Sequence, residues 1–324
     1  MPTTKPLVSV GIPVYNGERF IRQALDSVLR QTYDNLEVII SDNASTDKTG
    51  EICLEYAARD RRIQYHRSPV NLGVIANFRR AFELSAGDYF MWAAADDVRP
   101  TTAVEDCVVA LQRNSAAVMA HGPVLVRLEG QEALVERTNE VHLAGWEAGE
   151  RVRAFTNGIG HNGMLYGLYK RGALAQGTLG TCLGQDYLLC LQMCLLGPVE
   201  YVKTPMIVYQ ERWHVPTDNL MYPDRPLTLR DLLRSSRRKC WTVLLMGCYY
   251  LARIRSISLS QRICGIAAHV FAFSRLYRVR LAKEVMFLLF TPARWLTSIT
   301  WRLAHRRSFS LRLARKLQAI LTRV

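Results

Sequence analysis

The chain has 324 residues, 49% of them hydrophobic, and a formal net charge of +14. That length and apolar content allow a large folded core and exclude a wholly disordered chain. From Leu227 onward stand 20 Lys and Arg against 2 acids, net +18, while the first 226 residues hold 22 basic and 26 acidic side chains, net −4. Such asymmetry points to a polyanion or an anionic membrane as the partner of the last third.

The eight cysteines form no CxxC pair, which excludes finger-type zinc spacings and fits a reducing, cytosolic setting. The N-terminus enters an apolar strand-like run directly, without the long apolar region of a signal peptide.

In chain order, Leu7 to Val14 predicts a buried strand that ends in a Pro-Val-Tyr-Asn-Gly loop. Apolar residues from Phe20 to Leu29 recur at helical spacing, predicting a helix over Glu18 to Gln31. Leu36 to Ser41 predicts a second buried strand, followed by a polar loop from Asp42 to Asp47 and a helix to Arg59. Ile63 to His66 reads as a short strand, Val74 to Leu84 as a helix, and Asp88 to Ala93 as a fourth strand. A helix from Thr102 to Arg113 follows. Ala117 to Leu128 reads as a strand broken by Gly122-Pro123. This alternation predicts an α/β fold, a mostly parallel sheet covered by helices on both faces.

Ligands of such sheets bind at the carboxyl ends of the strands, where the polar clusters fall: Tyr15-Asn16, Asp42 and Asp96-Asp97. Adjacent carboxylates at a strand end suit a divalent cation with a diphosphate, because Mg²⁺ takes one or two carboxylates and fills its shell with phosphate oxygens. The alternative for Asp97 is a helix N-cap. Asp42 is either a turn former or an acceptor for the N–H of a nucleotide base. No glycine-rich dinucleotide or NTPase motif is present.

Taken together, these segments resemble the inverting family-two glycosyltransferases. The matching blocks are Ile12 to Glu18, Val38 to Asp47, Asn71 to Gly73, Ala86 to Tyr89 and Ala95 to Val98, in order over about the first 120 residues. The resemblance implies a GT-A-like nucleotide-binding sheet over residues 1–226. It places Pro13, Tyr15, Glu18, Asp42, Asn71, Asp96 and Asp97 around a nucleotide-sugar, UDP-linked by preference. It also implies a Mn²⁺ or Mg²⁺ ion held by Asp96 and, in a further loop, His214. Ala94 departs from the family's DxD pattern, standing where its first Asp is expected.

A glycine- and aromatic-rich stretch, Gly160 to Arg171, resembles the segment before the acceptor helix. In Gly184-Gln185-Asp186, Asp186 matches the family's catalytic base, although Gln185 stands where Glu is usual. An inverting transfer needs a carboxylate to take the acceptor proton opposite the leaving nucleotide. Asp186 meets that need by type. In the first turn of a helix, however, the dipole favours its ionised form and weakens it as a base. The expected activity is hexosyl transfer to a saccharide or lipid-linked hydroxyl in cell-surface polysaccharide or glycolipid synthesis. The second reading, motivated by Ala94 and Gln185, is a non-catalytic sugar-nucleotide-binding scaffold. A nucleotidyltransferase is disfavoured because the basic glycine-rich activation loop is missing.

Residues 227–324 form a basic amphipathic region. Its uncharged stretches, Cys240 to Ala252, Ile263 to Ser274 and Val285 to Ala293, are 13, 12 and 9 residues long. A spanning helix needs about 20. Arginine-rich helices carrying Trp241, Trp295 and Trp301 predict segments lying on an anionic leaflet, hence a protein peripheral to the cytoplasmic face of the membrane. The alternative is a basic bundle packed on the body. No motif supports nucleic-acid binding.

Overall fold

The computed structural model describes residues 5–128, 134–136, 143, 147–158, 163–178, 185–211, 239–276 and 281. By internal contacts the chain divides into Met1–Phe273 and Ser274–Val324. The elements below belong to the first unit, apart from the last three residues of the final helix.

Strands β1 (Val8–Val14), β2 (Leu36–Asp42), β3 (Ile63–Arg67) and β4 (Tyr89–Trp92) pair in parallel in the order β3-β2-β1-β4. Every residue of β1 is buried, as a central strand covered on both faces requires. Helices α1 (Ile21–Leu29), α2 (Thr49–Arg59), α3 (Val74–Glu83) and α4 (Ala103–Arg113) alternate with these strands. They turn Ile21, Leu25, Ile52, Val104 and Leu111 into the core shared with β1 and β2.

The run after α4 divides into two strands, β5 (Met119–His121) and β6 (Val124–Leu128), which lie in different sheets. Gly122 sits at the switch, where a Cβ would come within 2.2 Å of the Thr204 carbonyl oxygen. The predicted irregularity is therefore the point where the chain leaves one sheet for another. A three-stranded sheet joins β6 to β7 (Leu134–Glu136) and to β10 (Ile207–Glu211).

Strand β8 (Leu168–Lys170) inserts antiparallel between β4 and β5, with β9 (Val199–Tyr201) at the edge, completing a seven-stranded, mainly parallel sheet. An aromatic chain ties β8 to β4. Trp92 meets Phe90 edge-on at 4.8 Å and Tyr169 at 5.6 Å between ring centroids, and its indole N–H donates to the Phe78 carbonyl at 2.9 Å. Burying the ring costs no unpaired donor, so β4 has a firm end from which the Asp96 loop departs.

Helices α5 (Ala148–Gly158) and α6 (Arg171–Leu174) precede α7 (Gln185–Leu196). Helix α7 is buried along nearly its whole length. Helix α8 (Lys239–Arg253) and a helix over 259–276, α9, follow. Gly265 of α9 packs on α7, since a Cβ there would lie 2.6 Å from Leu195 Cδ1. Among the described residues, no helix is long and apolar enough to cross a membrane. The compositional boundary at 226/227 lies outside the described residues.

Candidate functional site

Strand register brings three loops to one edge of the sheet. Val14 lies opposite Asp42, and Gly11 opposite Trp92, so the turns after β1, β2 and β4 emerge together. Pro13 is buried within β1, while Tyr15 and Glu18 are exposed.

The loops are stitched by side chains. Asn16 adopts the left-handed region at φ 51°. Its amide donates to Ser45 Oγ, and its own Oδ1 accepts from the Thr46 amide at 2.8 Å. Glu18 accepts from the Lys48 amide at 3.0 Å. Asn71 accepts from Asn43 Nδ2 at 2.7 Å and from the Gly73 amide, fixing the turn into α3.

Asp42 is fully buried. Its Oδ1 accepts from the Ser45 amide at 2.9 Å; its Oδ2 accepts from the Tyr65 hydroxyl at 2.6 Å and pairs with Arg67 at 3.2 Å. The turn it closes holds Ala44 at φ 64°, a conformation that costs a non-glycine residue roughly 1–2 kcal/mol. A carboxylate engaged in this way shapes the loop; with no exposed surface, it meets a base only if the loop moves. Burial and the Asp42 charge push the Tyr65 phenol up to about 12, so it stays a donor at physiological pH.

Sequence reading missed Tyr65 and Arg67. Both lie two apart on β3, on the same face, and strand period alone could have signalled them.

After β4, Asp96 is exposed and Asp97 is buried. Behind them lies Arg99, 2% exposed. It donates to the Trp92 carbonyl at 2.6 Å and to the Tyr166 carbonyl at 3.3 Å. Burial pulls its guanidinium down to about 10, opposed by the Asp97 charge. Arg99 thus ties the Asp96-Asp97 loop to the 3₁₀ turn Gly163–Tyr166.

Asp186 occupies the first turn of α7. The half-buried Tyr166 phenol is raised by burial first, then by the charges of Asp97, Asp96 and Asp186. Next to Asp186, the Tyr187 hydroxyl donates to Thr156 Oγ1 at 3.2 Å and stands 3.5 Å from His269 Nδ1. His214 and the stretch 159–162 lie outside the described residues. Among the described residues, no group of three or more His, Cys, Asp or Glu could hold a metal ion. Of the strand-end pair only Asp96 is exposed; an ion whose other ligands are mostly phosphate oxygens needs one or two carboxylates.

Residues 9–176, just over half of the chain, match the family model for Glycosyl transferase family 2. The chain belongs to this family. It is 33% identical over 136 residues to an uncharacterized glycosyltransferase of Haemophilus influenzae, covering 42% of this chain and 54% of that one. It is 40% identical over 96 residues to the uncharacterized glycosyltransferase RT0329 of Rickettsia typhi, covering 30% and 29%. The chain therefore spans about half of the first relative's length and less than a third of the second's.

Among solved structures, S. aureus TarS 1-349 in complex with UDP-GlcNAc superposes with a TM-score of 0.63 at 12% identity, over 92% of this chain and 81% of that one. The mannosyltransferase PcManGT from Pyrobaculum calidifontis, in complex with GDP-Man and Mn²⁺, gives 0.52 at 18% identity, over 99% and 86%. At such identities the likeness is one of fold, and it bears out the GT-A-like sheet.

Proposed function

We propose that the protein transfers a sugar from a nucleoside-diphosphate sugar, UDP-linked by preference, to a saccharide or lipid-linked hydroxyl, with inversion. The observation that carries this reading is the strand register that brings the loops after β1, β2 and β4, and with them Tyr15, Asp42 and Asp96, to one edge of the sheet in a family-two chain. That edge serves the donor, and Asp186, in the first turn of α7, serves the acceptor proton. Family membership and the UDP-GlcNAc-bound neighbour support the donor class.

In this reading the loops holding Pro13, Tyr15, Glu18 and Asn71 cradle the nucleotide, and Asp42 keeps the β2 loop in shape. Asp186 takes the proton of the attacking hydroxyl as the new glycosidic bond forms and the bond to the nucleoside diphosphate breaks. Asp96, with His214, would hold Mn²⁺ or Mg²⁺, which supplies positive charge to the departing diphosphate, and Asp97 would help shape the donor site. The PcManGT neighbour, bound to GDP-Man and Mn²⁺, supports this. Ala94 leaves Asp96 a larger share of that binding. The basic C-terminal third would keep the protein on the cytoplasmic face of an anionic membrane, where lipid-linked acceptors of polysaccharide or glycolipid synthesis are presented.

The test is nucleoside diphosphate release from a panel of sugar nucleotides with Mn²⁺ or Mg²⁺, with saccharide and lipid-linked acceptors. Asp96→Ala is expected to abolish release. Asp186→Asn is expected to slow transfer by about 10²–10⁴-fold, the usual worth of general-base help, while donor binding persists. Donor binding without turnover on any acceptor would instead identify a non-catalytic sugar-nucleotide binder.

A further inference from the structure

Helix α9 is apolar on two sides. It starts with a reciprocal cap: Ser258 Oγ accepts from the Gln261 amide at 3.2 Å, and Gln261 Oε1 accepts from the Ser258 amide at 3.0 Å. This pairing is the capping-box arrangement, and it sets the register of the turns that follow. One face, with Gly265, His269, Ala272 and Phe273, is buried. It is fixed against α7 through Leu195 and Tyr187 and against α8 at Gly247, where a Cβ would stand 2.2 Å from His269 Nε2.

The opposite face carries Leu259, Ile263, Ala267, Val270 and Phe271. These sit at offsets of 0, 4, 8, 11 and 12 residues, a single stripe at helical period. Yet Leu259 is 64% exposed, Ile263 57%, Val270 38% and Phe271 63%. An outward helix face is ordinarily polar, and a large apolar stripe at the surface marks an interaction site.

We propose that this stripe is the surface through which the protein lies on an anionic lipid bilayer. The proposal rests on the membrane-facing reading above and names the face that makes contact. Charge selects the occupant. From Lys239 to Arg275 the chain has five basic residues and no acid. Arg253 and Arg255 are exposed, at the end of α8 and in the turn before α9. Arginines beside Leu, Ile and Phe suit headgroup phosphates above an acyl layer. A second copy of this chain is disfavoured, because a self-complementary contact would bring these arginines together with no acid in the segment to offset them.

The geometry also gives the contact a consequence. The inner face of α9 meets Tyr187, the residue after Asp186. A helix docked on lipid is thereby one side chain away from the first turn of α7, which suits an acceptor delivered from the membrane.

The test is flotation of the full-length protein with phosphatidylcholine vesicles, with and without phosphatidylglycerol, at low salt and at about 0.5 M salt, where the Debye length is only a few ångströms. The parent is expected to float with phosphatidylglycerol vesicles and to keep part of its binding at high salt. Ile263→Glu with Phe271→Glu is expected to lose at least about tenfold in bound fraction at high salt, since two apolar side chains that enter the acyl layer are removed. Both positions are exposed, so unchanged thermal unfolding and donor hydrolysis in solution are expected.

A variant that floats as well as the parent overturns the stripe as the contact face while leaving the membrane reading intact. A parent that never floats overturns both. Loss of a dimer in the variant, without any flotation of the parent, assigns the stripe to a second copy and also overturns the proposal. Flotation is read independently of catalysis, so a failed transfer assay leaves its result standing.

Discussion

The Tyr65 hydroxyl donates to Asp42 Oδ2 across 2.6 Å, from the strand edge of β3 to the carboxyl end of β2. Asp42 has no exposed surface, so this bond and the Arg67 pair stand in for the water it has lost. Tyr65→Phe removes the donor and leaves the ring. A hydrogen bond to a charged group contributes about 1.5–3 kcal/mol. Chemical denaturation is expected to show a loss of that size, with weaker donor binding because the loop from Asp42 to Ser45 loosens. An unchanged midpoint would mean that Asp42 does not rely on Tyr65.

Two glycines should respond with opposite signs. Gly122→Ala drives a Cβ toward the Thr204 carbonyl, a backbone atom that cannot swing aside. A loss of about 1–3 kcal/mol is expected, the range for overpacking. Gly172 lies in α6 with nothing within 4 Å of a built Cβ. Gly172→Ala is expected to gain about 0.5–1 kcal/mol from the lower entropy of the unfolded chain. Parallel urea titrations of both variants compare the two directly.

His66 is held below its ordinary value of 6.5, by burial first and by the nearby Arg80 charge second. Its folded pKa lies under its unfolded one, so the unfolded chain binds this proton more readily. The contribution to stability is complete above about pH 6.5 and is lost as pH falls below it. The melting temperature is expected to drop between pH 6.5 and 5, with a shallower slope for His66→Gln. Equal slopes for the two proteins would sink the assignment.

Much of the donor side of the site was legible in one dimension. Apolar runs at strand length, helical spacing between them, and polar residues just past each run foretell a parallel sheet with Tyr15, Asp42 and Asp96 at one edge. Parallel pairing obliges each crossover to return the chain to the same end of the sheet. The break at Gly122-Pro123 was also visible, although its meaning, a change of sheet, was not.

Other features were decided only when the chain closed. Asp42 is sealed by Tyr65 and Arg67, because in-register pairing of β2 with β3 sets Arg67 directly opposite it. Asp186 stands some 90 residues after Asp96 in sequence, in the first turn of α7, a helix buried along nearly its whole length. Strand β8 enters antiparallel beside β4, and Arg99 joins the two loops from below. Hydrophobic period reports which face of an element is buried; it carries no information on which distant element covers it. By itself, then, the sequence determined the alternation, the strand ends and the family. The tertiary structure decided that Asp42 is sealed, that Asp97 is buried while Asp96 is exposed, and which face of α9 packs on α7 and α8, because those depend on side chains brought together across long loops.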